Sequence, residues 1–161
     1  FVPSGSQSGY KANGNFTVPI NGTVAVTADF DLRKSVVLTG SGSTYILNPT
    51  LKIIVNNQAG EIKGTISNLL STNKYIIYVY EKDKYTASES SEPTGENVSF
   101  PNAITSTKLE SNGSYQFSFL AAGSYDLIIV SETSAGITKV EKTIAGVIVE
   151  SKKSTLVNSS L

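Results

Sequence analysis

The sequence predicts an all-β fold built of antiparallel Greek-key β-sandwich units, the first of them incomplete. Three observations carry this. Apolar residues recur with a period of two through most of the chain, the strand periodicity. Turn signals separate these runs at roughly 8- to 12-residue intervals, the spacing of a sandwich. No long stretch keeps a helical period; at most Asn68–Asn73 predicts one helical turn.

From Phe16 to Leu32 apolar and polar residues alternate on either side of Asn21-Gly22. Both central residues of a type I′ turn need positive φ, which Asn and Gly tolerate, so this reads as a hairpin. Pro19 has no N–H and suits an edge. A strand at Ser35–Leu38 and the loop Gly40–Ser43 follow, then Tyr45–Val55, broken at Asn48-Pro49. Glu61–Ser67 is a strand, and Lys74–Lys82 is apolar on both faces, as a central strand covered on each side is. Asp83–Asn97 is a long polar surface loop. Thr105–Glu110 and Ser114–Leu120 flank Ser111-Asn112-Gly113, a second hairpin signal, with Tyr115, Phe117 and Phe119 expected on one face. Tyr125–Ser131, Ile137–Ile144, Val147–Lys152 and Ser154–Leu161 complete the predicted strands.

Composition narrows the chemistry. Of 161 residues, 39% are hydrophobic and 16% charged, against roughly 25% charged in an average domain. Serine (23) and threonine (16) fill the difference. Lys plus Arg and Asp plus Glu balance at 13 each, so no net field draws nucleic acid or an acidic membrane. Cys, His, Met and Trp are absent, which removes disulfides, thiol nucleophiles and His-based zinc sites and triads. No apolar run approaches the ~20 residues of a membrane helix. The opening Phe1-Val2-Pro3, without methionine, leads to the expectation that upstream strands are cut away or supplied by something else.

Two stretches resemble known families. Val2–Lys11 (VPSGSQSGYK), Asp29–Ser35 (DFDLRKS) and Tyr45–Val55 (YILNPTLKIIV) resemble the C-terminal part of an uncharacterised domain family of bacterial and archaeal surface lipoproteins. In that family about a hundred residues, with several strands, precede these motifs, which implies a surface location and a first unit, residues 1–58, that is a partial domain. Residues 59–161 are similar to the carboxypeptidase-regulatory-like, or transthyretin-like, sandwich. The residues that carry this are Gly60–Asn68 (GEIKGTISN) and Gly113–Val130, with the corner Leu120, Gly123 and Tyr125. The resemblance implies a non-catalytic surface or spacer module.

Asp29 and Asp31 lie two apart on a strand and share a side. They could be half of a calcium site, but calcium wants six or more oxygens, and pairing with Arg33 or Lys34, or capping a turn, accounts for them. Glu89, Glu92 and Glu96 read as a solvated loop. No opposed pair of acids suggests glycoside hydrolysis. Tyr78 and Tyr80 share a face with Ile76 and could stack on sugar rings if exposed; a half-buried sheet face is the favoured account of them. Lys52 or Lys63 with Asn158 could form an isopeptide link, yet Ile129 stands where the proton-shuttling Glu is expected. Asn-x-Ser/Thr triplets at Asn15, Asn21, Asn97, Asn112 and Asn158 are glycan acceptor sequences, close in number to what the composition gives by chance.

The sequence therefore predicts a non-enzymatic, extracellular or cell-surface protein, structural or adhesive, with no cofactor. Its expected partners are further copies of itself or other surface proteins, joined by strand addition within Phe1–Pro19 or Thr155–Leu161, as in a filament. The alternative is a carbohydrate-binding module whose partner is a polysaccharide.

Overall fold

A run of alternating or wholly apolar residues becomes a strand only where a sheet can bury it, and the chain from Ala59 onward does this efficiently. The computed structural model describes residues 16–38, 45–47, 51–90, 99–136 and 138–161. In chain order the elements are β1 (Val26–Phe30), a one-turn helix α1 (Leu32–Ser35), β2 (Val36–Leu38), β3 (Tyr45–Leu47) and β4 (Leu51–Val55). A 3-10 turn (Asn56–Gln58) leads into β5 (Ala59–Ser67) and β6 (Lys74–Glu81); a second lies at Ala87–Ser90. Then come β7 (Thr105–Lys108), β8 (Ser114–Ala121), β9 (Gly123–Glu132), β10 (Thr138–Val149), β11 (Ser154–Leu156) and β12 (Ser159–Ser160). The protein is all-β, as predicted.

Two sheets face each other. One has the order β10-β9-β6-β7; in the other, β5 is flanked by β8 on one side and by β11 and β12, in series, on the other. Between them lie Ile62 and Ile66 of β5, Tyr75, Ile77 and Val79 of β6, Tyr115, Phe117 and Leu120 of β8, and Leu127 and Ile129 of β9. Fully burying one such side chain contributes roughly 1.5–3 kcal/mol, so this layer is the main source of stability. The Tyr125 hydroxyl donates to the Ala121 carbonyl at 2.7 Å and fixes the β8–β9 corner that the sequence marked at Leu120, Gly123 and Tyr125. Asp126, buried beside it, accepts from the Asp83 amide at 2.8 Å and the Gly146 amide at 2.9 Å. One carboxylate thus holds two turns.

The structure corrects several expectations. The type I′ turn expected at Asn21-Gly22 does not form: of the pair only Asn21 has a positive φ (58°), the Gly22 amide bonds Pro19 O at 2.9 Å so that the turn is centred on Ile20-Asn21, and its arms do not pair. Instead β1 pairs antiparallel with β4, Val26 opposite Val55 and Phe30 opposite Leu51. The first arm contains Pro19, which cannot donate to a ladder, whereas β4 offers five residues rich in β-branched side chains. The turn at Ser111-Asn112-Gly113 forms, yet β7 joins β6 and β8 joins β5. The turn therefore crosses between sheets. The polar strand Thr105–Lys108 suits an edge, while Tyr115, Phe117 and Leu120 are needed inside.

Phe119 does not share the face of Tyr115 and Phe117. A bulge opposite Glu61 shifts the register, puts Phe119 at φ 58° and turns it outward, and Leu120 enters the core in its place. The predicted strands at Ile137–Ile144 and Val147–Lys152 fuse into β10, with register shifts between Val140 and Lys142 and between Ile144 and Val147. The last strands run parallel to β5, against the wholly antiparallel expectation. The reason is where the Glu150–Lys153 turn delivers the chain. The Lys152 amide bonds Ala59 O at 2.7 Å and the Glu61 amide bonds Lys153 O at 3.0 Å, so β11 starts beside the start of β5 and runs the same way.

Candidate functional site

The outer face of β6 and β9 collects the residues that the sequence singled out. Alternation sends Tyr78 and Tyr80 of β6, with Ile128 and Val130 of β9, away from the inter-sheet core, where they form a second buried cluster with Phe100 and Ala103. Tyr78 stacks on Phe100 with ring centroids 4.1 Å apart, and Tyr80 meets Tyr85 edge-on at 5.3 Å. Both rings are closed off from solvent, Tyr80 completely. They offer no open stacking surface, which corrects the reading of these tyrosines as a sugar platform.

Glu89, expected in a solvated loop, is the polar centre of this cover. Its Oε2 accepts from the Tyr80 hydroxyl at 2.9 Å and the Asn102 amide at 3.0 Å, and its Oε1 from the Thr86 hydroxyl at 3.2 Å. Burial by itself raises the Glu89 pKa; the donors from Asn102, Tyr80 and Thr86 outweigh it and hold the group below the usual carboxylate range. Burial, then the bond to Glu89, raises that of Tyr80. A carboxylate with a depressed folded pKa contributes its stabilisation fully above the unfolded value, and this is lost as pH falls through the folded value. Thermal melts from pH 7 to pH 3 are therefore expected to show a fall in stability below about pH 4.3 that is shallower in Glu89→Gln, whose melting point is already lower at pH 7. Parallel curves would contradict this assignment.

Arg33, in α1, closes the cluster from the other side. Its guanidinium donates to the carbonyls of Ser99 and Phe100, each at 2.9 Å, and of Ala103 at 3.3 Å. It lies over the Tyr78 ring, 5.5 Å from the centroid, a cation–π distance. Phe100 sits at φ 55°, a backbone state that a bulky residue adopts only when its surroundings impose it; here the stacking and Arg33 do so. Arg33 thus ties the segment before β2 to the loop after β6. A cavity of about 530 Å³ lies beside it, lined in part by Asp29, Asp31, Ile76 and Thr105.

Asp31 caps α1, accepting from the Lys34 amide at 3.2 Å, and pairs with Arg33 at 3.5 Å. Asp29 lies on β1 opposite Lys52 in register. The guanidinium occupies the place beside Asp31 that a cation would need. Among the described residues no three acids, cysteines or histidines gather for a metal. Lys63 Nζ lies 3.1 Å from Glu61 Oε1 at the surface, and Asn158 Oδ1 accepts from the Thr65 amide at 2.9 Å, while Ile129 is in the core. Asn21 is exposed at its turn, and Asn112 Oδ1 accepts from the Ser114 amide at 2.9 Å. Asn15, Asn97, Glu92 and Glu96 lie outside the described residues.

Sequence reasoning missed the reach of Arg33 and the roles of Glu89 and Asp126. The one available signal was a single acid inside an otherwise apolar strand, as at Asp126 in Tyr125–Val130.

A family model described as a domain of unknown function (DUF4382) matches residues 1–49, within the stretch that carries the first resemblance. No curated protein matches the chain. Among solved structures, a minor pilin of Streptococcus agalactiae is similar at 18% identity and TM-score 0.39, covering 72% of this chain and 48% of the pilin. A provisionally assigned carbohydrate-binding protein of Pseudomonas aeruginosa is similar at 16% identity and TM-score 0.33, over 67% of this chain and 92% of that one. The major pilin subunit of Bacillus cereus gives 11% identity and TM-score 0.32, over 73% and 32%. The chain thus spans about half the length of the first of these and a third of the last. No helix among the described residues is long and apolar enough to cross a membrane.

Proposed function

We propose that the chain is a non-enzymatic structural and adhesive module of the cell exterior, assembling with copies of itself by strand addition at its first unit, residues 1–58. The observation that carries this is the segment Phe16–Ile20. Phe16, Val18 and Ile20 alternate with polar or small residues, all three are exposed, Ile20 at 95%, and the segment joins no sheet among the described residues. Beside it in sequence, β1 pairs within the described residues with β4 alone. An apolar-alternating segment and a two-stranded sheet are complementary, because a two-strand ribbon is marginal in water and a third strand supplies backbone hydrogen bonds together with a shared apolar face. Val26, Leu32, Val36 and Tyr45, also exposed, extend the apolar surface that a partner would cover.

The other segment considered for exchange, Thr155–Leu161, is engaged within the chain: β11 and β12 lie on β5, with Val157 N bonded to Lys63 O at 2.8 Å. Assembly is therefore assigned to the first unit. Residues 59–161 are the carboxypeptidase-regulatory-like spacer that carries it. The exterior location rests on the resemblance of the opening motifs to surface lipoproteins and on the Ser/Thr-rich, weakly charged composition. Size-exclusion chromatography with light scattering is expected to show a mass that rises with protein concentration. A monomer at every concentration would overturn the proposal.

A further inference from the structure

We infer that the groove between the β8 bulge and the Glu150–Lys153 turn is a binding site for an acidic saccharide, one bearing uronate carboxylates. Two non-glycine residues in the left-handed region line it: Phe119 at φ 58° and Lys152 at φ 61°. At a bulge or a tight turn this backbone state is the province of glycine, and a bulky side chain there is an outlier. Phe119 returns only part of a phenylalanine's burial to the fold in exchange, since the residue stays 41% exposed. Backbone strain retained at a half-exposed aromatic residue is a feature found at ligand-binding surfaces.

The groove, about 320 Å³, places these two residues with Ser118, Ser154 and Glu61. The exposed part of the aromatic ring offers a face for the C–H surface of a pyranose and an ammonium offers a partner for its oxygens; Ser118 Oγ already accepts from Gln116 at 3.1 Å and Ser154 is bonded to Glu61, which leaves the Ser118 hydroxyl proton as a further donor. The charges select the sugar. Glu61 is bonded to Lys63 at 3.1 Å and to Gln116 at 3.0 Å, and Glu150 is ion-paired with Lys153. Of the charged residues that line the groove, Lys152 is the one without an ion pair, a cation suited to a carboxylate. None of the lining residues lies in Phe16–Ile20 and the inference does not rest on strand addition, although Asn56, which also lines the groove, bonds the Ala25 carbonyl beside β1.

Isothermal titration with trigalacturonic acid and with the neutral maltotriose tests this. The intact chain is expected to bind trigalacturonic acid with a Kd of about 1 mM or tighter and maltotriose at least tenfold more weakly. Phe119→Gly relieves the backbone strain and keeps the bulge, so it is expected to melt no lower than the parent while losing at least tenfold in affinity. Lys152→Gly, equally compatible with its turn, is expected to abolish the preference for the acidic sugar. Absence of binding to either sugar, equal binding of both by the parent chain, or undiminished binding by Phe119→Gly would each overturn the inference.

Discussion

Gly64→Val is expected to lower the melting temperature by roughly 10 °C and to release β11 and β12 from the sandwich. A Cβ at Gly64 overlaps the Val157 carbonyl, a backbone atom that cannot swing aside, and lies 3.2 Å from Asn158 Oδ1. The bonds that hold this segment depend on that close approach: Val157 N to Lys63 O at 2.8 Å, the Tyr115 hydroxyl to Val157 O at 2.8 Å, and the Thr65 amide to Asn158 at 2.9 Å. Overpacking costs roughly 1–3 kcal/mol, and the lost hydrogen bonds about 1 kcal/mol each. A total of about 4 kcal/mol is a large share of a typical 5–15 kcal/mol and corresponds to the stated shift for a domain of this size. Gly123→Ala is the control, because its Cβ meets only ordinary contacts at 3.4 Å or more. Equal melting temperatures for the two variants would show that the glycine is not what admits the last strands.

Tyr80→Ala is expected to cost about 4 kcal/mol, the order found for removing a buried aromatic ring. Tyr80 is fully buried on the outer face of β6 beneath Tyr85 and the loop around Glu89. Its truncation leaves a cavity and removes a donor from a buried carboxylate. Tyr80→Phe keeps the ring and isolates the hydroxyl, with an expected cost of about 2 kcal/mol for a hydrogen bond to a charged group. Urea unfolding of the two variants measures both quantities. A Tyr80→Phe variant as stable as the parent would contradict the placement of the Tyr80 hydroxyl on Glu89.

The same region shows what the sequence disclosed and what it withheld. Lys74–Lys82 is apolar at successive positions, and that pattern correctly required cover on both faces: Tyr75, Ile77 and Val79 face the other sheet, and Tyr78 and Tyr80 face the loop. Nothing local could say that the cover would be a loop held by Arg33, because the partners of Arg33 are 66 to 70 residues away. The Asn-Gly pairs fared similarly. Positive φ is a local property, so its presence at Asn21 and Gly113 was legible, although the first turn closes around Ile20-Asn21 and not Asn21-Gly22; which strand each arm joins depends on competition among distant segments, and there β4 and β5 prevailed. The bulge at Phe119 was hidden for a different reason. The alternation Tyr115, Phe117, Phe119 is unbroken in sequence, and only the register against β5 reveals that Leu120 displaces Phe119 from the core.

Amide hydrogen exchange across Phe16–Ile20, read by mass spectrometry at low and high protein concentration, tests strand addition most directly. Main-chain pairing with a second copy predicts that these amides, Pro19 aside, exchange freely when dilute and become protected when concentrated, and that Val18→Lys with Ile20→Lys removes the protection. Exchange that stays equally fast at both concentrations would contradict it.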